Sequence, residues 1–228
     1  QARVLDKIPV QERGPLHGLP VGIKDIIYTK DMPTKHNSTI YKGSFPQVDA
    51  SSVMILRHAG ALIFGKTTTT EFAATMVGPK TTNTNSSSVT HTTGGSSSGS
   101  GAAVGDAQVP LALATQTAGS VIRPASFDGI YGLKPIWGTV SSGGQRVHSM
   151  LLDTLGWFGR SVADLAVLAD VFGLKDDEPS TFNGIRGAKF AICRTDNWPF
   201  VGEGTKKALD KAVALLGDHG ATVDQLSL

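Results

Sequence analysis

Three stretches of this sequence join reactive side chains to a backbone suited to holding them. Lys24 closes the apolar run Leu19-Pro20-Val21-Gly22-Ile23, which reads as a strand behind Gly-Pro punctuation, so an amine stands at a strand end. The segment Gly94-Gly95-Ser96-Ser97-Ser98-Gly99-Ser100-Gly101 has the composition of a flexible linker. It runs, however, straight into helix-compatible small residues and then an apolar strand, which argues that its glycines set a backbone that packs or binds. A helix starting there would aim free N–H groups at an anionic or carbonyl ligand. Thr115-Gln116-Thr117-Ala118-Gly119-Ser120 then carries the apolar strand into a Gly-flanked turn that ends on a serine.

Other patterns are weaker. Gly60-Ala61-Leu62-Ile63-Phe64-Gly65-Lys66-Thr67 fits the phosphate-loop expression letter by letter, but the middle residues of a working loop are open backbone around phosphates. Here they are wholly apolar and read as a buried strand after a helix. The six histidines, His17, His36, His58, His91, His148 and His219, show no metal-ligand spacing and read as surface or turn residues; no metal site is expected. A Ser-His-Asp triad is not dismissed by spacing alone, yet no G-x-S-x-G elbow nominates its serine. Asp176-Asp177-Glu178 reads as a solvated loop, and Cys193, alternating with apolar neighbours, as a buried small hydrophobe.

The positioning elements follow from pattern. Asp49 is expected to cap a helix through Val53, Met54, Ile55 and Leu56 that stops at Gly60, followed by a strand over Ala61–Phe64. Glu71–Met76 looks helical inside a Ser/Thr-rich stretch. Gly99–Val104 reads as helix and Val109–Thr117 as strand. Ser161 with Asp164 starts a capped helix to Phe172. Ala188–Cys193 is a strand, Thr205–Leu216 a helix, and Ala221 onward a closing strand. This alternation predicts an α/β domain whose sheet is covered on both faces.

Composition bounds the answer. At 228 residues and 40% hydrophobic content the chain supports one large core. A net charge of +2, with 18% charged residues, leaves no basic surplus for nucleic acid. One cysteine excludes an internal disulfide and any multi-cysteine metal site. No run approaches 18 apolar residues, so neither a membrane span nor a secretory leader is expected, and the leaning is cytoplasmic. A start on Gln1 and a close on an apolar run suggest a piece of something longer.

Taken together and in order, Gly22-Ile23-Lys24-Asp25, the 94–101 segment, Gly119-Ser120, Arg123-Pro124-Ala125 and Gly129-Ile130-Tyr131-Gly132-Leu133-Lys134-Pro135 resemble the amidase signature family. Gly65-Lys66-Thr67-Thr68 with Glu71-Phe72-Ala73 belongs to the same pattern, which removes the phosphate-loop reading. The resemblance runs from Gly14 to Leu165, and the 24 residues between Ser96 and Ser120 make it specific.

The resemblance implies a three-layer α/β/α sandwich on a mixed, mostly parallel sheet, taken as a single domain over 1–228 and incomplete at its C-terminal end. It also implies a Ser–cisSer–Lys triad: Lys24 as general base, Ser96 as the bridging serine in a cis peptide, Ser120 as nucleophile. Thr117, Ala118 and Gly119, with Ser120, would supply the oxyanion hole, and Ser97 would line the substrate site. Gly94, Gly95, Gln116 and Arg123 would support it. The implied activity is hydrolysis of a small-molecule carboxamide, with an amidotransferase glutaminase subunit or a non-catalytic binding protein as rivals. No cofactor is expected; a homodimer or a complementing C-terminal segment is. Against the common pattern, Gln116 replaces an Asp, Ala118 a Gly and Asp128 a Cys, and Arg123 stands one position late. Family members are usually about twice this length.

Overall fold

The computed structural model describes residues 1–76, 78–174 and 184–227. They divide into two compact units, Gln1–Lys175 and Asp176–Leu228. The first contains α1 (Ala2–Leu5), β1 (Pro20–Lys24), α2 (Ser51–His58), β2 (Leu62–Thr67), α3 (Ser98–Gly105), β3 (Leu111–Gln116), α4 (Ile122–Asp128), β4 (Tyr131–Leu133), β5 (Thr154–Gly159) and α5 (Val162–Val171). The second contains β6 (Lys189–Arg194), α6 (Glu203–Asp218) and β7 (Thr222–Ser227), with β6 and β7 paired in parallel.

The sheet of the first unit has the order β2-β1-β3-β5-β4. β1 is parallel to β2 and β3, and β5 runs antiparallel to both β3 and β4, so four strands point one way and β5 the other. This is the expected mixed, mostly parallel α/β architecture. Every residue of β3 and β5 is buried, as strands covered on both faces require.

Period-2 alternation along β3 separates two cores. Leu111 and Leu113 pack with Val53 and Leu56 of α2 and Leu165 and Leu168 of α5; Ala112 and Ala114 pack with Ala103 and Val104 of α3 and Ala125 of α4. Small residues on the second face let α3, itself Ser-Gly-Ser-Gly-Ala-Ala-Val-Gly, come close to the strands. A Cβ at Gly99 would lie 2.4 Å from the Thr68 amide nitrogen. α5 begins as expected, with the Ser161 hydroxyl accepting from the Asp164 amide at 3.0 Å.

Several expectations are corrected. Asp49 does not cap α2, whose N-cap is Ala50. Its carboxylate instead accepts from the Lys30 amide and pairs with Arg57 at 3.0 Å. The strand after Gly60 continues through Thr67, and Phe64 is exposed because β2 is the edge of the sheet. Glu71–Met76 is helical only as a 3-10 turn over Glu71–Ala73, broken by left-handed backbone at Phe72 (φ 53°). His36 is buried, ringed by Tyr28, Tyr41 and Phe72, and burial lowers its pKa. Cys193 is exposed: Phe190 and Ile192 take the partly covered face of β6, and Cys193 falls on the other. The Asp176-Asp177-Glu178 loop lies outside the described residues.

Candidate active site

Lys24 sits at the C-terminal end of β1, between β2 and β3, and is completely buried. Its Nζ donates to Ser96 Oγ at 2.8 Å, to Thr115 Oγ1 at 2.8 Å and to the Thr115 carbonyl at 3.3 Å. Burial pushes its pKa down to about 7, against the opposing pull of the Asp153 charge. A large fraction is therefore neutral near pH 7, and a neutral amine can accept a proton from the serine it touches.

Ser96 is held by its backbone. The Gly95–Ser96 peptide is cis, and the Ser96 carbonyl accepts from the Thr70 amide at 3.1 Å and the Thr69 hydroxyl at 2.9 Å. Gly95 has no room for a side chain, since a Cβ would lie 2.4 Å from the Met76 carbonyl oxygen, and Gly94 adopts φ 77°. The Ser97 hydroxyl donates to the Thr115 carbonyl at 3.3 Å, on the backbone group that also meets Lys24.

The turn after β3 is fixed from both ends. Gln116 Oε1 accepts from the Val121 amide at 2.7 Å and the Ile122 amide at 3.0 Å, closing residues 117–120 into a loop at the start of α4. Arg123 donates to the Gly95 carbonyl at 2.9 Å, and its guanidinium lies so close to Gly119 that a Cβ there would meet Nη2 at 2.7 Å. It thus ties the Ser96 turn to the Ser120 turn. Among the described residues, the amides of Ala118, Gly119 and Ser120 donate to no protein acceptor and remain free for an oxyanion. Ser120 is partly buried, and among the described residues its hydroxyl makes no hydrogen bond to Ser96 or Lys24. The structure therefore joins Lys24 to Ser96 directly, and both to the Ser120 turn through Arg123.

Three contributors were not legible as such in the sequence. Thr115 is a hydroxyl residue in an apolar strand, and that interruption was the available signal. Thr69 and Thr70 are masked by a Thr-rich background. Asp153 accepts from Thr117 Oγ1 at 2.5 Å, from the His148 amide at 2.5 Å and from the Ser149 amide at 3.0 Å. Asp128, the departure without a sequence rationale, is buried in α4 against Gly101 and Gly105. Neither carboxylate oxygen has a partner among the described residues, and burial raises its pKa to about 7.

A cavity of about 650 Å³ is lined by Asp25, Lys35, Asn37, Lys42, Lys66 and Thr68 and includes neither Ser96 nor Ser120. A smaller one, about 280 Å³, is lined by Trp137, Val147, Ser149, Met150 and Asp153, the last of which also binds Thr117. Among the described residues no group of His, Cys, Asp and Glu could hold a metal ion, and no helix is long and apolar enough to cross a membrane.

The family model described as Amidase matches residues 1–228. The chain belongs to the amidase family. Among curated amidase relatives it is 35% identical to a glutamyl-tRNA(Gln) amidotransferase subunit of Lysinibacillus sphaericus, over all of this chain and 50% of that one. It is 39% identical to the corresponding amidotransferase protein from Symbiobacterium thermophilum, over 95% of this chain and 48% of that one. Among solved structures, the peptide amidase of Stenotrophomonas maltophilia superposes with a TM-score of 0.80 at 31% identity, covering 95% of this chain and 49% of that one. The chain spans about half the length of the curated amidases it matches.

Proposed function

We propose that this chain carries the catalytic residues of a serine amidase that cleaves the C–N bond of a small-molecule carboxamide through an acyl-enzyme. The observation that carries the reading is the 2.8 Å contact between a completely buried Lys24, with a pKa near 7, and Ser96 Oγ. In the proposed step, neutral Lys24 takes the Ser96 proton while Ser96 takes that of Ser120. Ser120 Oγ then attacks the carbonyl carbon, and the oxyanion develops against the free amides of residues 118–120. The same path returns a proton to the departing nitrogen, which leaves as the amine; water, deprotonated along the same path, releases the acyl group as a carboxylate. The cavity lined by Trp137, Val147 and Met150 is the space assigned to part of the substrate beyond the scissile bond.

The glutaminase component of an amidotransferase, working on glutamine with a partner, is the second reading, favoured by the names of the relatives. An exposed apolar band at Ile136, Trp137, Met150, Leu151 and Leu152 supports a complementing segment or partner in either case.

The test is intact mass after a fluorophosphonate probe, with peptide mapping. A single adduct on Ser120, absent in Ser120→Ala and slowed about 10²–10⁴-fold in Lys24→Ala, is expected. A folded chain that takes no adduct, or takes it elsewhere, refutes the assignment. Preference for glutamine over other amides in a substrate screen would select the second reading.

A further inference from the structure

Asp153 lies just before β5, and the sheet register explains what it meets. Gln116 pairs with Thr154 at the end of the antiparallel ladder, so Thr117 and Asp153 are the next opposed pair, one step beyond it. There the carboxylate accepts three hydrogen bonds: Oδ1 from the Thr117 hydroxyl at 2.5 Å, and Oδ2 from the amides of His148 and Ser149 at 2.5 and 3.0 Å. Its charge is therefore fixed in place by the nucleophile turn on one side and the 148–153 loop on the other.

We propose that Asp153 is a positioning residue of this site, clasping the turn that carries Ser120 and fixing a negative charge where it acts on the buried Lys24 amine. The proposal rests on the serine-amidase reading for its catalytic meaning. The groups facing Lys24 from β3 and the cis turn, Thr115 and Ser96, are uncharged, as is Ser97 beside them. Among the described residues, Asp153 is the charged group whose field reaches Lys24. Arg123 spends its guanidinium on Gly95 and the Gly119 turn, and the groups that contact Asp153 itself are a hydroxyl and two backbone amides. Desolvation and Asp153 thus pull Lys24 in opposite directions, and the carboxylate keeps the base from becoming too weak to hold the proton it takes.

The two roles separate by substitution. Asn in place of Asp153 can keep all three contacts: its oxygen serves the two amides, and its NH₂ donates to Thr117 Oγ1, which accepts as readily as it donates. Only the charge is lost. Asp153→Ala loses charge and clasp, and Thr117→Val loses the clasp to the turn alone.

The experiment follows Lys24 by NMR of ¹³Cε-labelled lysine, assigned by its absence in Lys24→Met, alongside the rate of Ser120 labelling by a fluorophosphonate. Expected are a Lys24 midpoint moved to lower pH in Asp153→Asn and Asp153→Ala but not in Thr117→Val. Labelling at the pH plateau should fall on the order of 10²-fold in Asp153→Ala, and in the same direction in Thr117→Val, as displacement of reacting groups costs. A Lys24 midpoint in Asp153→Asn that coincides with the parent, or full labelling in folded Thr117→Val, overturns the proposal. Should Asp153→Ala not fold, those two variants carry the test. Absence of Ser120 labelling in the parent refutes the amidase reading instead, while the Lys24 titration still decides whether the Asp153 charge acts on the amine.

Discussion

Thr115 faces the buried amine twice: its hydroxyl lies 2.8 Å and its carbonyl oxygen 3.3 Å from Lys24 Nζ. With Ser96 Oγ at 2.8 Å these contacts give the charged amine three acceptors in a site without water-facing surface. Such an ammonium is satisfied but poorly solvated, which is the balance that lets it release a proton near neutral pH.

Thr115→Val keeps the shape and removes one acceptor of the charged form. A hydrogen bond to a charged group contributes about 1.5–3 kcal/mol, and 1.4 kcal/mol is about tenfold in rate. Labelling of Ser120 by an activated ester is expected to fall tenfold or more near pH 7, measured against parent protein of equal melting temperature. An unchanged rate would show that the hydroxyl is a bystander.

Reactivity of Ser120 should rise with pH through about 7 and level off above it, as Lys24 loses its proton. The stability consequence has a definite sign. The unfolded lysine titrates near ~10.4, so between about 7 and that value only the unfolded chain holds the extra proton, and stability rises with pH. Below about 7 the burial penalty is present in full. Lys24→Met should therefore stabilise the fold most at pH 6, with the gain shrinking toward pH 10, as read by urea unfolding at the two ends.

Asp128 behaves oppositely. Its folded pKa, raised to about 7 by burial, stands above the unfolded value of ~3.9, so the folded chain holds the extra proton between them. Stability is full below about pH 4 and is lost as pH rises through 7. Asp128→Asn should gain a few kcal/mol, roughly 2–4, at pH 8 and almost nothing at pH 4. A constant difference across that range would contradict the unpartnered carboxylate.

Gly99 admits no Cβ, because the atom would lie 2.4 Å from the Thr68 amide nitrogen, which belongs to rigid backbone. Gly99→Ala is expected to cost about 1–3 kcal/mol, as overpacking does, despite the better helix propensity of alanine. Gly204→Ala in α6, where nothing lies within 4 Å, should be neutral or stabilising by thermal melting.

The sequence made the chemistry more legible than the packing around it. Lys24, Ser96 and the 117–120 turn lie in short motifs whose order survives in one dimension, and the alternation of β3 announces a strand covered on both faces. What it hid depends on neighbours far along the chain. Phe64 looks like core until the strand order makes β2 an edge. Asp49 sits where a cap belongs, but Arg57 and the Lys30 amide claim its oxygens. Asp153 acquires a role only through the register that sets it opposite Thr117. Gln116, noted as a departure, turns out to bind the amides five and six residues ahead, a local function that its length permits.

The contacts that surround Lys24 span 72 residues to Ser96 and 91 to Thr115. Contacts of such range form late, after much of the chain has collapsed. Until they do, the lysine is an ordinary hydrated cation and the serines are ordinary alcohols. A nascent or partly unfolded chain is thus chemically harmless to the amides of its surroundings, and reactivity arrives together with the finished core.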